Sequence, residues 1–121
     1  LMVGVGRRVW LQRQPARGLW AGMLVFPQLA SPDAMRRVAK PLACAGEPLQ
    51  RWSAREHVLT HRRLQIQPYV LALRDREQAE SLVGRFGQGQ WLTLSAAARA
   101  EVPAAVSQLL RELAQRAAGH G

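Results

Sequence analysis

An α/β (α+β) sandwich, with a mixed β-sheet flanked by helices, is the fold this sequence predicts, and three observations carry that expectation. Short apolar runs of strand length, such as Leu1-Met2-Val3-Gly4-Val5 and Gln90-Trp91-Leu92-Thr93-Leu94, are interspersed with stretches of helical period. Some of these runs adjoin as hairpins while others are separated by enough chain for a helical crossover, which implies both antiparallel and parallel neighbours. At 121 residues, 48% hydrophobic and 21% charged, the chain has globular composition. It has room for one hydrophobic core, so residues 1–121 are expected to form a single domain.

Residues 1–5 and 9–13, joined at the Gly6-Arg7-Arg8 corner, read as a hairpin entering the sheet. Residues 14–22 mix turn formers with Leu19 and Trp20 and read as a loop; Met23 to Pro27 then follows as a buried strand stopped by proline. Ser31-Pro32-Asp33 has the chemistry of a helix start. Serine caps, proline sits where its missing N–H does no harm, and the acid meets the positive end of the dipole. That helix places Met35, Val38 and Ala39 on one face, and Pro41 is expected to end it near Lys40.

After a loop over residues 43–48, residues 49–52 read as a short strand. Residues 56–59 pair with 64–73 across a Thr60-His61 tip, and Pro68 either breaks the second strand or marks a bulge. Residues 74–89 form a polar surface connection with a short helical piece over 77–83. A last strand spans residues 90–94, Ser95 caps a single turn, and a closing helix begins at Pro103. Its Val106, Leu109, Leu110 and Leu113 recur at i, i+3, i+4 and i+7, the stripe of a helix lying on a sheet.

The formal net charge is +9. Residues 1–63 hold eleven Arg or Lys against three acids, and residues 64–121 hold six against five, so +8 of the excess lies in the first half. Such asymmetry favours an anionic partner on that half, nucleic acid being the commonest. A GC-rich genome accounts equally well for the preference for Arg, since only Lys40 differs among the seventeen bases, but not for the asymmetry. No apolar run approaches a membrane span, so no membrane partner is expected. The lone Cys44 cannot form an internal disulfide, which suggests a reducing, cytoplasmic setting and excludes a thiolate-held zinc or iron–sulfur site within this segment.

Chemistry concentrates in His57-Val58-Leu59-Thr60-His61-Arg62-Arg63, which puts a hydroxyl between two imidazoles at a corner, with two guanidinium groups beside it. Such a tip can read a polar, planar, negatively charged partner. The plainer reading is a turn capped by Thr60, with His61 bonded to backbone and Arg62 and Arg63 in solvent. Trp10, Trp20, Trp52 and Trp91 lie in or beside apolar segments and are expected to pack in the core or between domains. Ser31 and Ser95 read as caps, Cys44 has no neighbouring histidine, and Glu77 and Glu80 lie on a solvated helix; no catalytic constellation emerges.

Gly18-Leu19-Trp20-Ala21-Gly22 followed by Phe26-Pro27 resembles the loop and strand that precede the catalytic helix of Nudix (MutT-like) hydrolases. That family places an Arg-Glu-x-x-Glu-Glu cluster next, because a divalent metal at a pyrophosphate needs several carboxylate ligands. Here the corresponding segment, Ser31 to Lys40, has one acid and three bases. No metal ligands and no catalytic residues are therefore assigned.

An acid-poor body of this kind, the His57 to His61 motif, and Trp91-Leu92-Thr93-Leu94 leading into Val102-Pro103-Ala104 together resemble the C-terminal domain of MutY-type adenine DNA glycosylases. The resemblance spans nearly the whole chain and implies a noncatalytic domain that reads 8-oxoguanine opposite mispaired adenine in double-stranded DNA. It further implies a longer parent enzyme, of which these residues are the C-terminal fragment, and a partner N-terminal glycosylase domain carrying a 4Fe-4S cluster. No cofactor is expected in these residues themselves. The family's Phe-Ser-His or Phe-Thr-His loop falls on Leu59, Thr60 and His61, so Thr60 keeps the hydroxyl and Leu59 replaces the aromatic ring. Arg62 and Arg63 are then expected to hold backbone phosphates. Two alternatives remain open: a free-standing Nudix pyrophosphohydrolase with a displaced metal site, and a protein-interaction module.

Overall fold

Alternating side chains in β1 (Met2–Val5) and β2 (Arg8–Arg13) fold back on each other in register Gly4↔Val9 and Val5↔Arg8. The turn is tight because Gly6 takes φ +59°, a conformation that costs glycine little. The computed structural model describes residues 1–43 and 49–119. Cys44 and most of the expected 43–48 loop lie outside the described residues.

The remaining strands are β3 (Leu24–Val25), β4 (Leu49–Arg51), β5 (Arg55–Val58), β6 (Arg63–Ile66), β7 (Tyr69–Leu73) and β8 (Gln90–Thr93). Six strands form one sheet in the order β3-β2-β1-β7-β4, with β8 also paired to β2. The sheet is mixed: β1 runs parallel to β7, from Met2↔Val70 to Val5↔Leu73, and the other pairs are antiparallel. β5 and β6 form a separate two-stranded hairpin.

The helices are α1 (Pro32–Ala43), α2 (Arg76–Val83), α3 (Leu94–Ala98) and α4 (Ala104–Gly119), with a 3-10 turn at Gly84–Phe86. Because side chains alternate along a strand, the sheet buries two separate apolar layers. Met2, Val9, Leu11 and Val70 meet Val106, Leu109 and Leu110 of α4, while Val3, Trp10, Leu71 and Leu73 meet Met35 of α1 and Ala79, Leu82 and Val83 of α2. Each large aliphatic side chain so enclosed contributes about 1.5–3 kcal/mol of transfer free energy. The expected mixed sheet flanked by helices is therefore the observed one. No helix among the described residues is long and apolar enough to cross a membrane.

Three local expectations need correction. α1 runs through Pro41 to Ala43 instead of stopping at Lys40: a proline in the last turn removes one donor, and the contacts of Met35 and Val38 with the sheet hold the turns before it. The strand expected over Met23 to Phe26 pairs only at Leu24 and Val25, although Phe26 and Pro27 are buried beside it. α3 is capped by Thr93, not Ser95. Its Oγ1 accepts from the Ala96 N–H at 3.1 Å, and the Ser95 hydroxyl lies 3.3 Å from that same oxygen. Pro68 does break the long second strand, and the two pieces enter different sheets.

Candidate nucleic-acid interface

The hairpin owes its register to Arg55↔Ile66, Glu56↔Gln65, His57↔Leu64 and Val58↔Arg63. One face, carrying Arg55, His57, Leu64 and Ile66, is half-buried, and the other, carrying Glu56, Val58, Arg63 and Gln65, is exposed. Thr60 and His61 form the turn between Leu59 and Arg62, whose backbone closes it with a Leu59 N–H donating to the Arg62 carbonyl at 2.7 Å. Leu59 is half-buried, whereas Thr60, His61, Arg62 and Arg63 are exposed. The tip thus presents one imidazole, not two, because His57 lies on the half-buried face.

Side-chain hydrogen bonds in this region belong to the base of the hairpin and, among the described residues, not to Thr60 or His61. The Gln67 Nε2 donates to the Trp52 carbonyl at 2.6 Å and to the Pro68 carbonyl at 3.1 Å. Arg55 of β5 forms a partly buried ion pair with Glu112 of α4, tethering the hairpin to the body. Arg63 lies 3.5 Å from Glu56 on the exposed face, so of the two arginines assigned to phosphate it is the partly neutralised one. Val58, 66% exposed, is the most exposed large apolar side chain among the described residues and stands next to the tip.

Between hairpin and body lies a cavity of about 250 Å³, lined by Leu64 and Ile66 on one side and by Trp20, Phe26, Met35 and Leu109 on the other. Trp20 reaches it from a backbone at φ 57°, in the left-handed region that a bulky side chain enters at a cost of about 1–3 kcal/mol. The loop holds it there: the Met23 N–H donates to the Trp20 carbonyl and the Gly22 N–H to the Pro15 carbonyl, both at 3.0 Å, while Arg13 donates to the Gly22 carbonyl at 2.6 Å. Sequence reading assigned Trp20 to packing and missed this strain. The Gly18 and Gly22 that flank it were the available signal.

Residues 1–112 match the NUDIX domain family. The chain belongs to that family. Among solved structures, the Nudix domain resembles the crystal structure of a Nudix hydrolase from M. Smegmatis, RenU, at 14% sequence identity and a TM-score of 0.52, over 98% of this chain and 86% of that one. At that identity the likeness concerns the fold.

A divalent cation at a Nudix helix would need several carboxylate oxygens converging on one face. On α1 of this Nudix domain the described acid is Asp33. It is exposed, with the Arg36 guanidinium 3.1 Å from its carboxylate and Arg37 donating to its backbone carbonyl. Among the described residues no group of three His, Cys, Asp or Glu side chains is close enough to share a metal ion. The donor set on α1 does not fit the cation, because one exposed carboxylate cannot supply the several oxygens it needs.

Proposed function

We propose that this Nudix domain is a noncatalytic reader of DNA damage, the lesion-recognition domain of an adenine DNA glycosylase that recognises 8-oxoguanine opposite mispaired adenine. The observation that carries the reading is the exposed turn of the β5–β6 hairpin, where Thr60 is exposed beside His61 and Arg62. Oxidation at C8 converts guanine N7 from an acceptor to an N–H donor. A hydroxyl oxygen that accepts there favours the lesion. Because the same hydroxyl can turn to donate to an ordinary N7, the contact supplies about 1–3 kcal/mol of discrimination.

In this reading Arg62 positions the strand through phosphate, Arg63 does so more weakly while it shares its charge with Glu56, and Leu59 provides aliphatic contact below the turn. The adenine itself is removed by a partner N-terminal domain carrying the 4Fe-4S cluster. Binding to duplexes containing 8-oxoguanine:adenine or guanine:adenine tests the reading. Thr60→Ala is expected to reduce the preference for the lesion about tenfold, and Thr60→Ser to keep it. An unchanged preference in Thr60→Ala rejects the assignment.

Family membership supports a second reading, a nucleotide pyrophosphohydrolase using a displaced metal site. Mg²⁺-dependent release of pyrophosphate or nucleoside monophosphate by this chain would establish that reading in place of the first.

A further inference from the structure

At the end of the sheet away from the hairpin, four strands set one row of side chains on the face that carries the α1 and α2 layer. Val5 pairs with Leu73 and with Arg8, and Arg8 pairs with Thr93, so these four residues share that face. Burial fades along the row. Leu73 is buried, Val5 half-buried, and Arg8 and Thr93 exposed, because α2 packs over β7 and β1 at the other end of it. What this leaves is a hollow of about 330 Å³, with Val5 and Trp91 as its apolar lining and Arg7, Arg8 and Arg76 around them.

Trp91 lies two residues before Thr93 on β8, hence on the same face, and stands opposite Trp10, whose ring is 6.1 Å from that of Phe86. Trp10 is buried and Trp91 half-buried, so this aromatic row ends at the hollow. Among the described residues, the guanidinium stacking seen on Trp52 is not repeated on Trp91. No carboxylate among them lines the hollow, and neither Arg7 nor Arg8 forms an ion pair with them. Arg76 shares its charge with Glu80 at 3.3 Å, whereas Asp75 and Glu77 line a separate hollow beside Val38. Thr93 is already committed, its Oγ1 accepting from the Ala96 N–H. The hollow thus offers two available guanidinium groups beside an apolar, partly aromatic floor.

We propose that this hollow holds one unpaired nucleotide of a DNA strand, with the base against Trp91 and Val5 and the adjoining phosphates at Arg7 and Arg8. Guanidinium groups alone would suit any phosphate. An aromatic floor beside them selects a ligand whose phosphate is joined to a planar ring, the combination by which single strands are held without regard to sequence. A paired base does not fit, because its faces are covered by its neighbours in the stack and only its edges reach a groove. That the strand is DNA rests on the reading proposed above, whereas the preference for a single strand does not. The hairpin leaves the sheet at the Arg51 and Tyr69 end, and β7 rises about 3.3 Å per residue from Tyr69 to Leu73, or roughly 13 Å. The nucleotide held here is therefore not the one at the hairpin tip.

The test is binding of the whole chain to a short oligothymidylate and to the same sugar–phosphate chain without bases. Stacking predicts that the bases tighten binding about tenfold. Trp91→Leu, which keeps an apolar floor and removes the π face, should abolish that advantage. Across a salt titration, Arg8→Gln should lower the slope of log K against log salt by about 0.7, and Arg8→Lys should restore it. Arg37→Gln, an equal loss of charge at an exposed position of α1, should not lower it. Should Trp91→Leu fail to fold by circular dichroism, the exposed Arg8 variants and the chain without bases decide the matter. Oligothymidylate contains no purine, so its affinity is independent of 8-oxoguanine, and the hollow and the hairpin tip can fail separately. Equal affinity for the two chains, an advantage that survives in folded Trp91→Leu, a slope lowered as much by Arg37→Gln as by Arg8→Gln, or thymidine monophosphate bound as tightly as the oligomer would each overturn the proposal.

Discussion

A methyl group added at Gly89 would fall 2.1 Å from Cζ2 and 2.3 Å from Cε2 of Trp10, whose ring is buried against the α1 layer. An indole locked among Leu71, Leu73 and Val83 cannot yield cheaply. Gly89→Ala is therefore expected to destabilise the fold by about 1–3 kcal/mol, read as a drop in melting temperature of about 4 °C or more. Thr60 offers the opposite case. Exposed and unengaged by the rest of the described chain, it can be truncated with a stability change within about 0.5 kcal/mol, so any loss of lesion preference in Thr60→Ala reports recognition and not folding.

Among the elements, α3 discriminates between two residues of similar chemistry. Thr93→Ala removes the oxygen that accepts from the Ala96 N–H and should cost about 1 kcal/mol by denaturant melt, whereas Ser95→Ala should cost less than about 0.5. Both residues are good caps, and sequence alone does not say where β8 ends, which is why the cap was placed two residues late. The same limit explains what else was legible. Helices announced themselves through local signals: Ser31 Oγ accepting from the Ala34 N–H, Pro103 ahead of α4, and the Val106, Leu109, Leu110 spacing. The β5–β6 turn was legible for the same reason, since its partners are adjacent in the chain. Pairings between distant segments were not. The parallel register of β1 on β7 and the Arg55–Glu112 tether each join residues far apart in sequence, and no local pattern encodes them. Breaking that tether with Glu112→Gln should speed hydrogen exchange at β5 and β6 while leaving β1 and β7 protected, because the hairpin belongs to no larger sheet.

At the scale of the whole molecule, the net charge of +9 opposes compactness through self-repulsion, and little in the fold offsets it. Of the ion pairs among the described residues, Arg36–Asp33, Arg63–Glu56 and Arg76–Glu80 are largely exposed and worth little each. Screening should then relieve more repulsion than it removes attraction, so added NaCl is expected to raise the melting temperature, by about 4 °C for each kcal/mol of repulsion screened. Duplex DNA at fixed ionic strength should raise it further. A ligand bound only by the folded state stabilises by RT ln(1 + [L]/Kd), about 2.7 kcal/mol at a hundredfold excess over Kd. Stabilisation by the duplex that survives in Arg37→Gln but disappears in Arg62→Gln would tie the excess charge to the hairpin tip. Stabilisation that merely tracks ionic strength would mean that the positive charge acts only as a diffuse field.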